Sequence, residues 1–136
     1  MAATIFIGDD DPAVVQLLKD NFERQGFVVE TGYDGQAAIL HAKAHRLDLA
    51  ILDINMPQMN GLETLVLLRQ YPEPNPIPVI FITGADPQTI YAQLERQPRV
   101  AFVQKPIDLE HINSMVEFFI LQYTAGKKPE LGQNPQ

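Results

Sequence analysis

Short apolar runs alternate with segments of helical period about five times along the chain. Thr4–Gly8 reads as a buried strand. Asp11 is placed to cap a helix and Pro12 to open it. Val14, Leu18 and Phe22 then keep helical spacing as far as Gly26, which suits a helix C-terminus. Phe27–Thr31 reads as a second strand. Residues 35–46 read as a helix with Ala38, Ile39 and Ala42 on one face. Leu47–Leu52 is a continuous apolar run ending in Asp53, the pattern of a strand buried on both faces. Asn55–Gly61 is a loop by its turn residues, and Leu62, Leu65 and Arg69 lie along a third helix. Pro72, Pro74, Pro76 and Pro78 make a stiff connector. Val79–Ile82 is a fourth strand ending in Thr83-Gly84. A fourth helix is expected over 87–97, with Ile90 and Leu94 inward. Val100–Val103 is a fifth strand ending near Lys105-Pro106. Asp108 caps a fifth helix carrying Leu109, Ile112, Val116, Phe119 and Tyr123 on one stripe.

Five β-α repeats imply a parallel sheet with helices on both faces. Right-handed crossovers leave few topologies. The expected fold is α/β: a flavodoxin-like, doubly wound, five-stranded parallel sheet of order 2-1-3-4-5 with five helices. Residues 1–123 form the one domain, and 124–136 hold little that packs and are expected to be a disordered tail. The length of 136 residues fits a single domain.

Composition narrows the function. A net charge of −7 disfavours nucleic acid as a direct partner. There is no cysteine, which removes disulfides, thiolate catalysis and cysteine zinc sites. The first residues lack the basic segment of a signal peptide, and no apolar run is long enough to cross a bilayer. A cytoplasmic protein with no membrane partner is expected.

In doubly wound sheets, sites form at the carboxyl ends of the strands, near the switch point between the first and third. Here the first strand ends in Asp9 and Asp10, the third in Asp53, the fourth in Thr83, and Lys105 follows the fifth. Any one of these is an ordinary turn or cap residue; their coincidence at four strand ends is not ordinary. Three clustered carboxylates repel unless compensated. A divalent cation and Lys105 supply that compensation, and Mg²⁺ favours a few carboxylates, waters and a phosphate oxygen. These are the parts of a phosphoryl-transfer site in which one carboxylate attacks and becomes an aspartyl phosphate.

Four motifs stand in register over about residues 3–123: Gly8-Asp9-Asp10-Asp11-Pro12; Leu52-Asp53-Ile54-Asn55-Met56-Pro57 with Asn60-Gly61; Ile82-Thr83-Gly84; and Gln104-Lys105-Pro106. Together they resemble the signature of response-regulator receiver domains of two-component signalling, the CheY-like superfamily. The resemblance implies that Asp53 is the phosphoacceptor and that Asp9 and Asp10, with Asp53 and the Asn55 backbone carbonyl, hold Mg²⁺, for which Mn²⁺ is a substitute. It implies that Thr83 and Lys105 bind the phosphoryl group and that Lys105-Pro106 is a cis peptide. Gly84 leaves room for the phosphoryl group. Thr83 and Phe102 would form the switch that reshapes the face of the fourth helix, fifth strand and fifth helix.

The implied partners are a sensor histidine kinase or histidine phosphotransfer protein and a downstream protein bound by that face. The chain is expected to be a monomer or weak homodimer, and to be a phosphoacceptor rather than a conventional enzyme. With no output domain after Tyr123, its output is expected to be a protein contact or phosphorelay; the alternative is a piece of a longer regulator. Two departures stand out. Gly8 sits where an apolar β-branched residue is usual, which is expected to loosen the end of the first strand. Arg96–Arg99 replaces a small-residue turn.

Two other functions use similar parts. A pseudo-receiver, a phosphorylation-independent interaction module, would keep the fold without the intact acidic set. A phosphatase of the haloacid dehalogenase type needs an acid two residues after its nucleophile, where this chain has Asn55. His41 and His45 have metal-ligand spacing, but a solvated helix face accounts for them. Met115, Phe118 and Leu121 fall partly outside the inward stripe of the last helix and suggest a partner surface.

Overall fold

Ile5 and Ile7 face one side of the sheet and Phe6 the other, and the same alternation separates Leu49 and Ile51 from Ala50 and Leu52. Side chains of successive strand residues point to opposite faces, so a strand apolar throughout must be covered twice. The computed structural model describes residues 2–44, 46–70, 76–84, 94 and 97–123. Its elements run β1 (Thr4–Gly8), α1 (Pro12–Arg24), β2 (Val28–Gly32), α2 (Gly35–Ala44), β3 (Leu49–Asp53), α3 (Gly61–Leu68), β4 (Val79–Thr83), β5 (Val100–Gln104) and α4 (Leu109–Tyr123). All four strand pairings are parallel, in the order β2-β1-β3-β4-β5. This is the flavodoxin-like topology that the pattern implied. Four helices lie among the described residues. The expected helix over 87–97 falls outside them, except for Leu94, helical and buried, and Gln97. The expected tail, 124–136, also lies outside the described residues.

One core layer joins β1, β3 and β4 to α1 and α4 through Ile7, Leu18, Phe22, Ile51, Ile112 and Val116. The other joins the opposite face to α2 and α3 through Phe6, Ala38, Leu52, Leu65 and Phe81. The helix ends follow their local chemistry. The Asp11 carboxylate accepts from the Ala13 N–H at 2.9 Å, and Pro12 opens α1. Gly26 takes φ 94° just past the cap residue Gln25. At α3, Asn60 and Glu63 cap each other's backbone N–H reciprocally, so the turn-rich loop ends in a capping box. Asp108 accepts from the Glu110 N–H at the start of α4.

Two details, at Val15 and His41, differ from the sequence pattern, and one, the outer flank of α4, agrees with it. Val15 is the buried valine of α1, while Val14 is only partly buried. Phe118 is 56% exposed and Leu121 55%, so the outer flank of α4 is open. His41 is half-buried and bonded to Glu30 on β2, with its ring against Phe6, so it does not lie on a solvated face. The reason is that α2 packs close enough to β2 for its last turn to meet that strand. His45 lies outside the described residues.

Because β3 is buried along its whole length, truncation there leaves a cavity that neither layer can fill. Ile51→Ala is expected to cost about 2–5 kcal/mol, measured as a lower urea midpoint at unchanged slope. A midpoint equal to that of the wild type would contradict the burial of Ile51 in the core layer beneath α1 and α4.

Candidate functional site

The sheet order sets β1 beside β3, so their last residues and the positions just beyond them come together at one edge. Asp9 follows β1 and Asp53 ends β3, and both are buried, while Asp10 is exposed. One carboxylate oxygen from each of the three lies within 4.8 Å of the others.

Asp9 and Asp53 are held in the same way. Asp9 Oδ1 accepts from the Asp11 N–H at 2.9 Å. Asp53 Oδ1 accepts from the Asn55 N–H at 3.0 Å. In both cases a carboxylate turns back onto the backbone two residues on, which fixes the side chain and leaves the second oxygen to face inward. Those second oxygens share one cation: Lys105 Nζ lies 3.2 Å from Asp9 Oδ2 and 3.2 Å from Asp53 Oδ2. Of the two, the Asp53 contact is also a hydrogen bond; among the described residues the buried Asp9 Oδ2 has no hydrogen-bond partner.

Neighbouring backbone bonds bring the other strands to the same edge. The Lys105 N–H donates to the Thr83 carbonyl at 2.8 Å, and the Ile54 N–H to the Ile82 carbonyl at 3.0 Å. Thr83 is buried at the end of β4, and among the described residues nothing lies within 4 Å of where a Cβ on Gly84 would stand. The Lys105-Pro106 peptide is cis. Phe102 on β5 is half-buried and stacks on the fully buried Phe81, ring centroids 5.7 Å apart.

Burial raises the Asp9 carboxyl above the ordinary carboxylate range, and the Asp53 charge adds to the rise. The Asp11 N–H and Lys105 pull the other way without cancelling it. Burial alone would lower Lys105, but its bonds to Asp53 and Asp9 outweigh that and raise it. Among the described residues one ammonium, Lys105, pairs with two of the three clustered carboxylates, so the cluster stays short of positive charge. An Asp9 Oδ2 that meets Lys105 as an ion pair but takes no hydrogen bond among the described residues, and an all-oxygen donor set, suit a hard divalent cation.

A family model described as the response regulator receiver domain matches residues 5–117. The chain belongs to the response regulator receiver family. It is 32% identical to Protein PilH of Pseudomonas aeruginosa over 108 residues, 79% of this chain and 89% of PilH. It is 36% identical to Response regulator GtcR of Aneurinibacillus migulanus over 84 residues, 62% of this chain but only 34% of GtcR. The match thus spans about a third of GtcR and nearly all of PilH. Among solved structures, a receiver domain of a signal transduction histidine kinase from Syntrophus aciditrophicus superposes with TM-score 0.80 at 28% identity, covering 97% of this chain and all of that one.

In this receiver, Asp9, Asp10, Asp53 and Lys105 converge as one group, with Thr83 tied to them through the Lys105 N–H. Phe102 stands apart, one strand out. The sequence reading did not find how tightly the β3–α3 loop closes. A Cβ on Gly61 would lie 2.7 Å from the Asp53 carbonyl oxygen and 3.0 Å from Ile54 Cα. The Gly61 N–H donates to the Ile54 carbonyl at 2.9 Å, so α3 begins directly against the acidic edge. The only available signal was a glycine closing a turn-rich run. Gly8, expected to loosen β1, is instead buried and in register with both Gly32 and Leu52. Neighbouring side chains fill the space it leaves.

A raised native pKa means the folded state holds the Asp9 proton more tightly than the unfolded chain does. The stability contributed by Asp9 is therefore complete below the ordinary carboxylate range and is lost as pH rises through the raised value. At neutral pH, with a chelator present, Asp9→Asn is expected to raise the melting temperature and to flatten its fall between acid and neutral pH. A lower melting temperature for the variant would mean that the Lys105 pairing outweighs the burial cost.

Proposed function

We propose that this receiver accepts a phosphoryl group on Asp53 in a Mg²⁺-dependent transfer from a phosphohistidine of a sensor histidine kinase or histidine phosphotransfer protein. One observation carries the reading: Asp9 and Asp53 each present one carboxylate oxygen to Lys105, with Asp10 alongside.

A carboxylate oxygen of Asp53 attacks the phosphorus. The new O–P bond forms as the P–N bond to the donor histidine breaks, and the imidazole leaves. The bond from the Asn55 N–H keeps the carboxylate oriented for attack. Lys105 is already within reach of both buried acids and offsets charge on the incoming phosphoryl oxygens. The Thr83 hydroxyl donates to another phosphoryl oxygen, and Gly84, with no side chain, leaves room for the group. Asp9, Asp10, Asp53 and the Asn55 carbonyl would hold Mg²⁺, which when bound neutralises the charge gathered at the acidic edge. Attack by water on the phosphorus later restores Asp53, so the protein acts as a switch rather than as an enzyme on an outside substrate.

Output runs through Thr83 and Phe102 to the face formed by segment 87–97, β5 and α4, where Phe118 and Leu121 give an apolar flank for a downstream protein. The receiver works as a monomer or weak homodimer in the cytoplasm. Among the described residues no helix is long and apolar enough to cross a membrane.

Incubation with acetyl phosphate, followed by intact-mass measurement, tests the reading. A gain of one phosphoryl group is expected with Mg²⁺, none with a chelator, and none in Asp53→Asn. Absence of labelling in the wild type, under conditions that label another receiver, would favour the phosphorylation-independent module. Steady phosphate release from simple esters would favour the phosphatase.

A further inference from the structure

Gly8, Leu52 and Met56 have one thing in common. Each is the chain neighbour of a residue assigned to the cation: Gly8 precedes Asp9, Leu52 precedes Asp53, and Met56 follows Asn55. The three meet at one point. A Cβ built on Gly8 would lie 3.3 Å from Leu52 Cδ2 and 3.5 Å from Met56 Sδ. Its nearest contact would be the ring of Phe6, at 3.0 Å from Cε2.

Phe6 stands two residues before Gly8 on the same strand face and is fully buried. Its ring also reaches the second glycine of the pair. Gly32 is the register partner of Gly8, and a Cβ on Gly32 would lie 3.1 Å from Phe6 Cζ. One aromatic ring therefore lies across two side-chain-less positions on adjacent strands. It fills volume that a β-branched residue at position 8 would otherwise occupy. Leu52 and Met56 are buried in the same layer as Phe6, so the ring, the two strand ends and the start of the β3–α3 loop form one packed unit beneath the acids. Packed interiors transmit such displacements because they hold few voids.

We infer that Phe6 and Gly8 are a size-matched pair of positioning residues that set the spacing of the cation ligands Asp9, Asp53 and Asn55. The inference rests on the reading of the acidic edge as a Mg²⁺ site. Neither residue touches the ion; they act through Leu52 and Met56. A branched side chain at position 8 cannot enter without moving Phe6 or Leu52; Leu52 is joined directly to Asp53, and Phe6 packs in the same layer as Leu52 and Met56.

Isothermal titration of the full chain with MgCl₂, beside a thermal melt, tests the pair. Gly8→Val is expected to remain folded and to bind Mg²⁺ about tenfold more weakly or worse, the range seen when residues behind metal ligands are altered. The double variant Phe6→Leu/Gly8→Val, which exchanges the volumes, is expected to recover most of that affinity. Should Gly8→Val fail to fold, Gly8→Ala takes its place with a smaller expected loss, recovered by Phe6→Leu/Gly8→Ala. A folded position-8 variant with wild-type affinity would overturn the inference, as would a double variant as weak as the single one. Absence of Mg²⁺ binding by the wild type would instead remove the metal reading itself, and this inference with it.

Discussion

Two carboxylates are buried side by side at the ends of adjacent parallel strands, and most of the structure around them offsets what that costs. Asp9 and Asp53 each give up one oxygen to a backbone N–H two residues ahead, and each turns the other toward Lys105. Lys105 follows β5, two strands away from β3. Parallel neighbours lie about 4.8 Å apart, so the gap to be bridged is roughly 10 Å. The Lys105 N–H continues the β4–β5 ladder by bonding the Thr83 carbonyl, and the long lysine side chain spans the rest. The ammonium then reaches both acids. Remove the sheet order and the five groups have no reason to meet.

The same constraint explains what could be read from residue types alone. Buried strands with alternating sides must be apolar along their length, and β3 and β4 are. Polar residues at the ends of such runs are conspicuous for that reason, so Asp9, Asp10, Asp53, Thr83 and Lys105 stood out as a set. Caps were legible as well, since Asp11 and Asp108 act within two residues of themselves. What could not be read was whatever depends on which apolar group meets which. Phe6 and Gly8 each look unremarkable, and only their register with Gly32 and Leu52 shows one filling the other's space. Arg69 was assigned to a helix face. In fact it ends α3 and donates to the carbonyls of Ile77 and Pro98, tying together segments that sequence spacing does not relate. His41 was assigned to solvent because its partner, Glu30, sits on a different element.

Acid clusters of this kind are unstable compromises, and that is useful to a switch. A site fully satisfied by the protein would gain little from a ligand. Here one buried oxygen of Asp9 lacks a hydrogen bond among the described residues, and burial raises its carboxyl. Added positive charge therefore meets an existing deficit. On the proposed reading, phosphorylation then brings new negative oxygens into a site already arranged around Lys105, and the new bonds bias an equilibrium between two arrangements.

On the proposed reading, burial points to the part of the molecule that would have two arrangements. Phe81 and Phe102 are register partners on β4 and β5 and stack on each other. Phe81 is fully enclosed in the core layer, so its ring has nowhere to go. Phe102 is only half-buried and sits on the edge strand, packed against the core layer that holds Phe81. Thr83 lies two residues beyond Phe81 on the same strand face, and its carbonyl holds Lys105. A pull on Thr83 toward the phosphoryl group would thus act on the end of a buried strand, and among the described residues Phe102 is the less buried member of the stacked pair beside it. A ligand shifts such an equilibrium only as far as its bonds differ between the two states. The bonds that differ are those of Thr83 and Lys105, which are the two groups the β4 end and the β5 loop hold against each other.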